Sequence, residues 1–377
     1  MPITEIAVSE YDTLLAKAAT KKIPVCAMFE LTYKCNFHCL MCYNAPQDKR
    51  ELTTEEVNFI LDELAEEGCL YLSPTGGEIM VRKDIFEILA YAVKKGFQIR
   101  LKSNAALLSP ERIDRLQALG IGQIEVSFHG ADAAHFEGIT QVKGSYERTK
   151  AVIEELARRK FLVKLNLVAM TLNADQITPV REWARSIGVP FSFTTEVSPK
   201  TNQDKAPLQY RLSPEMRQLT ANKQVPQDPK RRLEFYQMRL KGPTARSELF
   251  SCGVGKSQVI VSPYGEARLC LDIEEPSYSI LELGLKEAWQ RLLKFVEKTD
   301  VRRWQCPQEL RPFCTGWCPA RGLLDTGSLY GCDDHCQELA RLNQKEYESL
   351  LEQAQREGWE ASGAFKQKPE QGCEFRD

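Results

Sequence analysis

The stretch Thr32-Tyr33-Lys34-Cys35-Asn36-Phe37-His38-Cys39-Leu40-Met41-Cys42-Tyr43-Asn44 follows directly on an apolar run at residues 24–31. It carries Cys35, Cys39 and Cys42 in a C-x3-C-x2-C loop at the end of a strand. Three thiolates on one short loop can hold three irons of a cubane cluster and leave the fourth without a protein ligand. An open iron does chemistry, whereas a fully ligated one carries electrons or holds shape. Thirty-three residues after Cys42, Thr75-Gly76-Gly77-Glu78 closes a second apolar strand.

Working outward, apolar alternation marks strands at about 24–31, 69–73, 97–103, 122–129, 161–169 and 190–196. Helical periodicity fills the gaps. Val57, Ile60, Leu61 and Leu64 recur at i, i+3, i+4 and i+7, as do Ile85, Ile88, Leu89 and Ala92. Thr53 or Thr54 can cap the first helix, and Ser109-Pro110 opens another in the favoured Ncap–N1 order. Six consecutive strand–helix units imply a parallel sheet with right-handed crossovers.

Periodicity does not say whether that sheet is flat or curled, but the strand faces help. Ile124, Val126 and Phe128 face one way and Glu125, Ser127 and His129 the other; Lys164 and Asn166 likewise oppose Val163, Leu165 and Leu167. Ordinary parallel sheets are apolar on both faces. A polar face on strand after strand predicts an open or partial barrel with a wet lumen. An antiparallel sheet with one solvated face is the alternative, and the interleaved helices argue against it. Cys35 to Cys42, Gly76 to Glu78 and Ser103-Asn104 then share one mouth at the C-terminal strand ends, where chemistry belongs.

At 377 residues and 43% hydrophobic, the chain can bury a full core and form two or three domains. A formal net charge of −2 gives no electrostatic footprint for nucleic acid. Met1-Pro2-Ile3-Thr4-Glu5 has neither a basic n-region nor an apolar h-region, and no apolar run approaches the roughly 20 residues that span a bilayer. A soluble, cytoplasmic protein with no membrane partner is expected. Of the thirteen cysteines, three cluster at 35–42 and seven at 252–336. Such spacing suits metal ligation better than cross-linking. Cys26, Cys69 and Cys373 read as buried or inert thiols.

The two loops together resemble the radical S-adenosylmethionine (SAM) superfamily, over about residues 23–340. The resemblance implies a partial (β/α)6 TIM-like barrel and a [4Fe–4S] cluster on Cys35, Cys39 and Cys42 whose remaining iron chelates SAM. It also implies one-electron cleavage of SAM to methionine and a 5′-deoxyadenosyl radical, which takes hydrogen from substrate. SAM contacts are implied at Gly76, Gly77 and Glu78, the last accepting from the SAM ammonium, and at Ser103, Asn104, Ser127 and Asn166. This chain has Ile79 where many relatives have Pro, Met41 where they have an aromatic, and Thr140 where an Arg often meets the SAM carboxylate. Neither His129 nor His135 is given a role, and no catalytic side chain is assigned.

Residues 199–247 carry six prolines and read as a connector with one or two short helices, one starting at Ser213-Pro214. Beyond it, Cys252-x12-Gly265-x4-Cys270 and then Cys306, Cys314, Cys318, Cys332 and Cys336 resemble the SPASM extension of peptide-modifying radical SAM enzymes. One expected cysteine is missing, with Gln308 or Glu309 in its place, and Cys332 is surplus and can fill a vacancy. By resemblance Cys252, Cys270 and Cys318 belong to one auxiliary cluster, and Cys306, Cys314 and Cys336 to a second. The rival reading is a structural zinc site on Cys306, Cys314, Cys318 and Cys336. Residues 337–357 form a charged helical pattern with Leu339, Leu342, Tyr347 and Leu350 as its apolar stripe, and poor order is expected from 358 on.

The expected organisation is an N-terminal segment (1–22), the core barrel (23–198), the connector (199–250), a small cysteine-rich α+β domain (251–340) and a tail (341–377). The resemblance implies a radical SAM enzyme acting on a peptide or protein side chain, by oxidation, cross-linking or maturation. Fewer than thirty residues precede the barrel, so a separate presenting protein is expected, with an electron donor such as flavodoxin or ferredoxin. The alternatives are a haem-pathway radical SAM enzyme acting on a tetrapyrrole, and a non-catalytic iron–sulfur carrier or zinc-stabilised binding protein.

Overall fold

The structure, a computed structural model, describes residues 13–221, 228–241, 248–314 and 318–359. Helix α1 (residues 13–21) precedes six strands: β1 (Cys26–Thr32), β2 (Tyr71–Gly76), β3 (Gln98–Ser103), β4 (Gln123–Ser127), β5 (Leu162–Val168) and β6 (Phe191–Thr194). Each overlaps the run that its alternation predicts. The helices between them are α2 (Thr54–Glu66), α3 (Ile85–Lys94), α4 (Pro110–Ala118), α5 (Ala133–Thr140), α6 (Ser145–Arg158) and α7 (Ile177–Ser186). Local chemistry starts them as expected. Thr53 and Glu56 form a capping box at α2, and Ser109 accepts from Arg112 N–H ahead of Pro110 at α4.

Strands β1 to β6 pair in sequence and in parallel, for example Cys26 with Tyr71, Leu101 with Ile124 and Leu165 with Phe191. On the far side of β1 comes β7 (Gln258–Val261), again parallel, followed by antiparallel β8 (Glu266–Arg268) and β9 (Tyr278–Ser279). The order β6-β5-β4-β3-β2-β1-β7-β8-β9 leaves β6 and β9 unpaired with each other, so the barrel is partial. The cysteine-rich half therefore begins inside the barrel's own sheet.

The connector supplies α8 (Pro214–Ala221) and α9 (Pro229–Lys241), followed by α10 (Ile280–Glu297), α11 (Pro319–Thr326) and α12 (Asp334–Glu357). Leu339 and Leu350 on α12 are buried and Tyr347 packs beside them, but Leu342 is only half-buried and Asn343 takes a core position instead. The Asn343 amide is accommodated because it donates to Phe313 O at 3.0 Å and accepts from Gln218. Most of the segment expected to be poorly ordered, 360–377, lies outside the described residues, as does Cys373. No described helix is long and apolar enough to cross a membrane.

The outer face of the sheet is the core. Val57, Ile60, Leu61 and Leu64 of α2 meet Ile85, Ile88, Leu89 and Ala92 of α3 in one apolar cluster with Phe29, Leu72 and Val261. Phe29 is fully buried and lies in register with both Pro74 of β2 and Val261 of β7. Phe29→Ala should cost about 3–5 kcal/mol, read as a fall in the urea midpoint at unchanged slope.

Candidate active site

The cysteine loop hangs from the end of β1 and is held from several sides. Gly77 N–H donates to Thr32 O at 2.7 Å, and Glu78 N–H to Lys34 O at 2.9 Å. No side chain fits in that approach. A Cβ on Gly76 would lie 2.2 Å from Thr32 O, and one on Gly77 2.3 Å from Lys34 O. Gly76 also has φ +121°, a conformation that L side chains rarely adopt. Asn44, beyond the last cysteine, donates Nδ2 to Gly76 O at 3.0 Å. Glu51 accepts from Thr32 Oγ1 and, at 2.8 Å, from Tyr33 N–H. The C-terminal carbonyls of α5 complete the support: Ile139 O accepts from Leu40 N–H at 3.1 Å, and Thr140 O from His38 N–H at 3.0 Å. Thr140 is buried with its hydroxyl bonded to Ser145 Oγ, so it serves the loop through its carbonyl.

Cys35, Cys39 and Cys42 are free thiols. Burial, then the neighbouring Cys42 and Cys35, pushes the Cys39 thiol up to about 12. Burial also raises Cys35 and Cys42, and Cys42 adds to the effect at Cys35. Cys39 and Cys42 are half-buried and Cys35 is exposed, and bare thiolates in this loop would repel. Ligation by iron, which takes the thiolate form, relieves both penalties. Among the described residues no three Cys, His, Asp or Glu side chains meet closely enough to hold a single ion. Cubane thiolates bind separate irons and need no such convergence, so this donor set fits a cluster.

The other mouth residues divide by depth. Glu78 is fully buried, and its carboxylate accepts from Met80 N–H at 3.0 Å, Ser103 Oγ at 2.9 Å and Asn104 N–H at 2.7 Å. Its acceptor sites are thus engaged within the protein. Asn104 reaches the loop, donating Nδ2 to Asn36 Oδ1 at 2.8 Å with Cys35 Sγ 3.8 Å away. Ser127 is exposed at the end of β4. Asn166 joins a lumen network, accepting from Ser192 Oγ at 2.6 Å beside Glu125, which Lys102 Nζ meets at 2.5 Å. His129 is buried with Val168 N–H donating to it, and burial lowers it to about 4; His135 pairs with Asp132.

Under the loop lies a chain of charge formed by Glu30, Tyr33 and Arg268. Tyr33 Oη donates to Glu30 Oε2 at 2.9 Å, and Arg268 Nη1 donates to Tyr33 Oη at 3.2 Å. All three side chains are buried, and Glu30 Oε1 has no hydrogen-bond partner among the described residues. Burial pushes Glu30 up to about 7, against the pull of Tyr33 and Arg268. Nothing in the local sequence links Glu30 to Arg268; β8 brings them together.

The second cysteine collection falls into neighbourhoods. Burial raises Cys270 well above its ordinary value, and Asp272, Cys318 and Cys252 add to it. Asp272 itself is pushed up by burial to about 6. Cys332 is raised first by its hydrogen bond to Cys306, while Cys336 is raised by burial, with Cys314 contributing. Gln308 and Glu309, at the position of the missing cysteine, are exposed on a short 3-10 turn. It is Cys332 that lies against Cys306. Cys26 and Cys69 are buried, with Cys69 Sγ donating to Val25 O at 3.5 Å.

A model of the radical SAM superfamily matches residues 29–184, the barrel from β1 through most of α7. Residues 29–184 thus form a radical SAM domain. An AdoMet-dependent heme synthase of Methanosarcina barkeri is 29% identical over 84% of this chain and 97% of its own length. The mycofactocin maturase MftC of Mycolicibacterium smegmatis is 25% identical over 84% and 83%. Streptococcus suis SuiB bound to precursor peptide SuiA shares the fold at a TM-score of 0.64 and 16% identity, covering 86% of this chain and 79% of that one. The chain is thus a radical SAM enzyme with a SPASM-like cysteine-rich half, and its family implies a [4Fe–4S] cluster and SAM.

Two outcomes follow from the geometry. Gly77→Ala must push the cysteine loop off its seat, costing about 1–3 kcal/mol by overpacking, and should lower iron bound per chain after anaerobic reconstitution. Glu30 stays protonated in the fold up to about pH 7, whereas the unfolded side chain ionises near 4.5. Folded stability therefore falls as pH rises through that window and levels off above it. Glu30→Gln should abolish this slope and exceed the wild type by about 2–3 kcal/mol at pH 8, measured by denaturant unfolding.

Proposed function

We propose that the chain is a peptide-maturing radical SAM enzyme, modifying a peptide or protein side chain by oxidation, cross-linking or maturation. In this reading Cys35, Cys39 and Cys42 hold the [4Fe–4S] cluster, and SAM lies against Gly76, Gly77, Asn104 and Ser127. Bound there, cluster and SAM supply one-electron cleavage of SAM to methionine and a hydrogen-abstracting 5′-deoxyadenosyl radical.

The rest is the protein's work. Glycine backbone at residues 76 and 77 lets the second loop approach the first without side chains between them. Ser103 contributes through Glu78, fixing the end of β3, and Asn104 aims the amide that borders Cys35. Asn166, Glu125 and Lys102 keep the lumen polar, suited to a ribose or a peptide backbone. Thr140 offers no charge to a carboxylate, so that group needs another partner.

Cys252, Cys270 and Cys318 hold one auxiliary cluster, and Cys306, Cys314, Cys332 and Cys336 a second, in which Cys332 replaces the missing cysteine. The observation that carries this reading is the second cysteine collection joined to the barrel's own sheet through β7. Support for a peptide substrate comes from the maturase relative and from the likeness to a fold that holds a precursor peptide. The reading calls for a flavodoxin- or ferredoxin-type electron donor and a protein that presents the peptide. The second reading, a tetrapyrrole substrate, is favoured by the heme synthase relative, matched over 97% of its length.

Anaerobic protein reconstituted with iron and sulfide, then given dithionite and SAM, should release 5′-deoxyadenosine. Cys39→Ala should abolish release, while Cys314→Ala should spare it and stop substrate turnover. Absence of the nucleoside from the iron-loaded wild type overturns the enzyme reading. A spectral shift on adding a tetrapyrrole, with none on adding peptides encoded beside this chain, replaces the peptide reading with the second.

A further inference from the structure

Arg321, on the first turn of α11, is buried at 6% exposure and held in place by two carboxylates. Its Nε meets Asp325 Oδ2 at 3.1 Å, and its Nη1 meets Glu196 at the end of β6. The third nitrogen, Nη2, has no hydrogen-bond acceptor among the described residues. It belongs to a small cavity lined by Cys318, Arg321, Gly322, Asp325, Asp333 and Cys336, so both cysteine neighbourhoods border it. Arg321 also acts electrostatically on Cys336 and Cys332.

A buried guanidinium N–H without an acceptor is costly, the more so on a charged group, and native folds rarely leave one. Asp325 and Glu196 fix two of the guanidinium nitrogens, and the cavity that Arg321 lines is also lined by Cys318 and Cys336. We propose that Arg321 is a positioning residue for the auxiliary clusters, donating Nη2–H to a thiolate or sulfide sulfur and raising that cluster's reduction potential. This rests on the auxiliary-cluster reading above.

When such a cluster takes one electron from a flavodoxin- or ferredoxin-type donor, its charge becomes more negative by one. The fixed cation and its hydrogen bond stabilise the reduced state more than the oxidised one. No proton moves, because the guanidinium is charged in both states.

The test is an EPR-monitored redox titration of the reconstituted protein with dithionite and mediators. Iron and sulfide counts come first. A wild type holding only about four irons per chain fails the auxiliary-cluster reading, and the proposal with it. With more iron bound, Arg321→Gln should lower an auxiliary midpoint by about 59 mV, a tenfold change in the reduced-to-oxidised ratio, and Arg321→Lys by less. An unchanged midpoint at full iron content overturns the proposal alone. Should Arg321→Gln lose its iron, the wild type grown on 15N-arginine decides. Arginine-nitrogen hyperfine coupling to a reduced auxiliary cluster supports the proposal, and its absence overturns it.

Discussion

The mouth of this barrel depends on one backbone-to-backbone contact, Gly76-Gly77 pressed onto the carbonyls of Thr32 and Lys34. Two strand ends that would normally be spaced by side chains meet here through N–H···O bonds of 2.7 and 2.9 Å. The contact converts the end of β1 from a free loop into a seated one, so that Cys35, three residues beyond Thr32, emerges at a defined place. Other supports act on the same short segment: Asn44 and Glu51 from its own continuation, and the carbonyls at the end of α5. A cysteine loop held this way is positioned by the fold, and ligation does not have to supply all of its order.

A polar lumen is expensive to build, and the chain pays for it in two different ways. Glu78 is completely satisfied, its buried carboxylate distributing three donors between β3 and the turn after β2. Glu30 is not: among the described residues one of its oxygens lacks a partner, as does Nε of Arg268 beside it. Burial, opposed by Tyr33 and Arg268, raises the Glu30 carboxyl to about 7, so that it is only partly ionised near neutral pH. Glu30 thus carries less negative charge near neutral pH than its sequence suggests.

Much of this was legible in the residues. All six barrel strands and the starts of α2, α4 and α8 follow from alternation and capping, because those signals are local. The cysteine loop and the glycine pair were equally readable, since short spacing constrains geometry by itself. What could not be read were the contacts made by the sheet. Nothing in Gln258–Val261 announces that it pairs with β1 in parallel. For the same reason Arg268 was invisible as a neighbour of Glu30, and Arg82, which donates to Leu31 O at 2.9 Å, as a brace for the loop. The α12 stripe shows the converse. Asn343 breaks the apolar pattern and is nevertheless buried, because Phe313 and Gln218 arrive from elsewhere to satisfy its amide.

An open barrel has two edges, and unpaired strand edges invite wrong pairing. Here the cysteine-rich half covers both ends of the sheet. On one side β7 pairs with β1 and carries β8 and β9 onward. On the other, the residues just past β6 are tied to α8, α11 and the segment before α8. Arg211 donates to Val197 O at 2.8 Å and meets Asp325 at 2.9 Å, and Arg217 donates to Thr195 Oγ1 at 3.2 Å. Glu196 pairs with both Arg217 and Arg321. The second half of the chain therefore takes the place of the strands that would close the barrel. It spans from β1 to β6 around the same lumen that the first cysteine loop overlooks. Both cysteine collections are then tied to the same sheet, one through β1 and its pairing with β7, the other through Glu196 and Arg321.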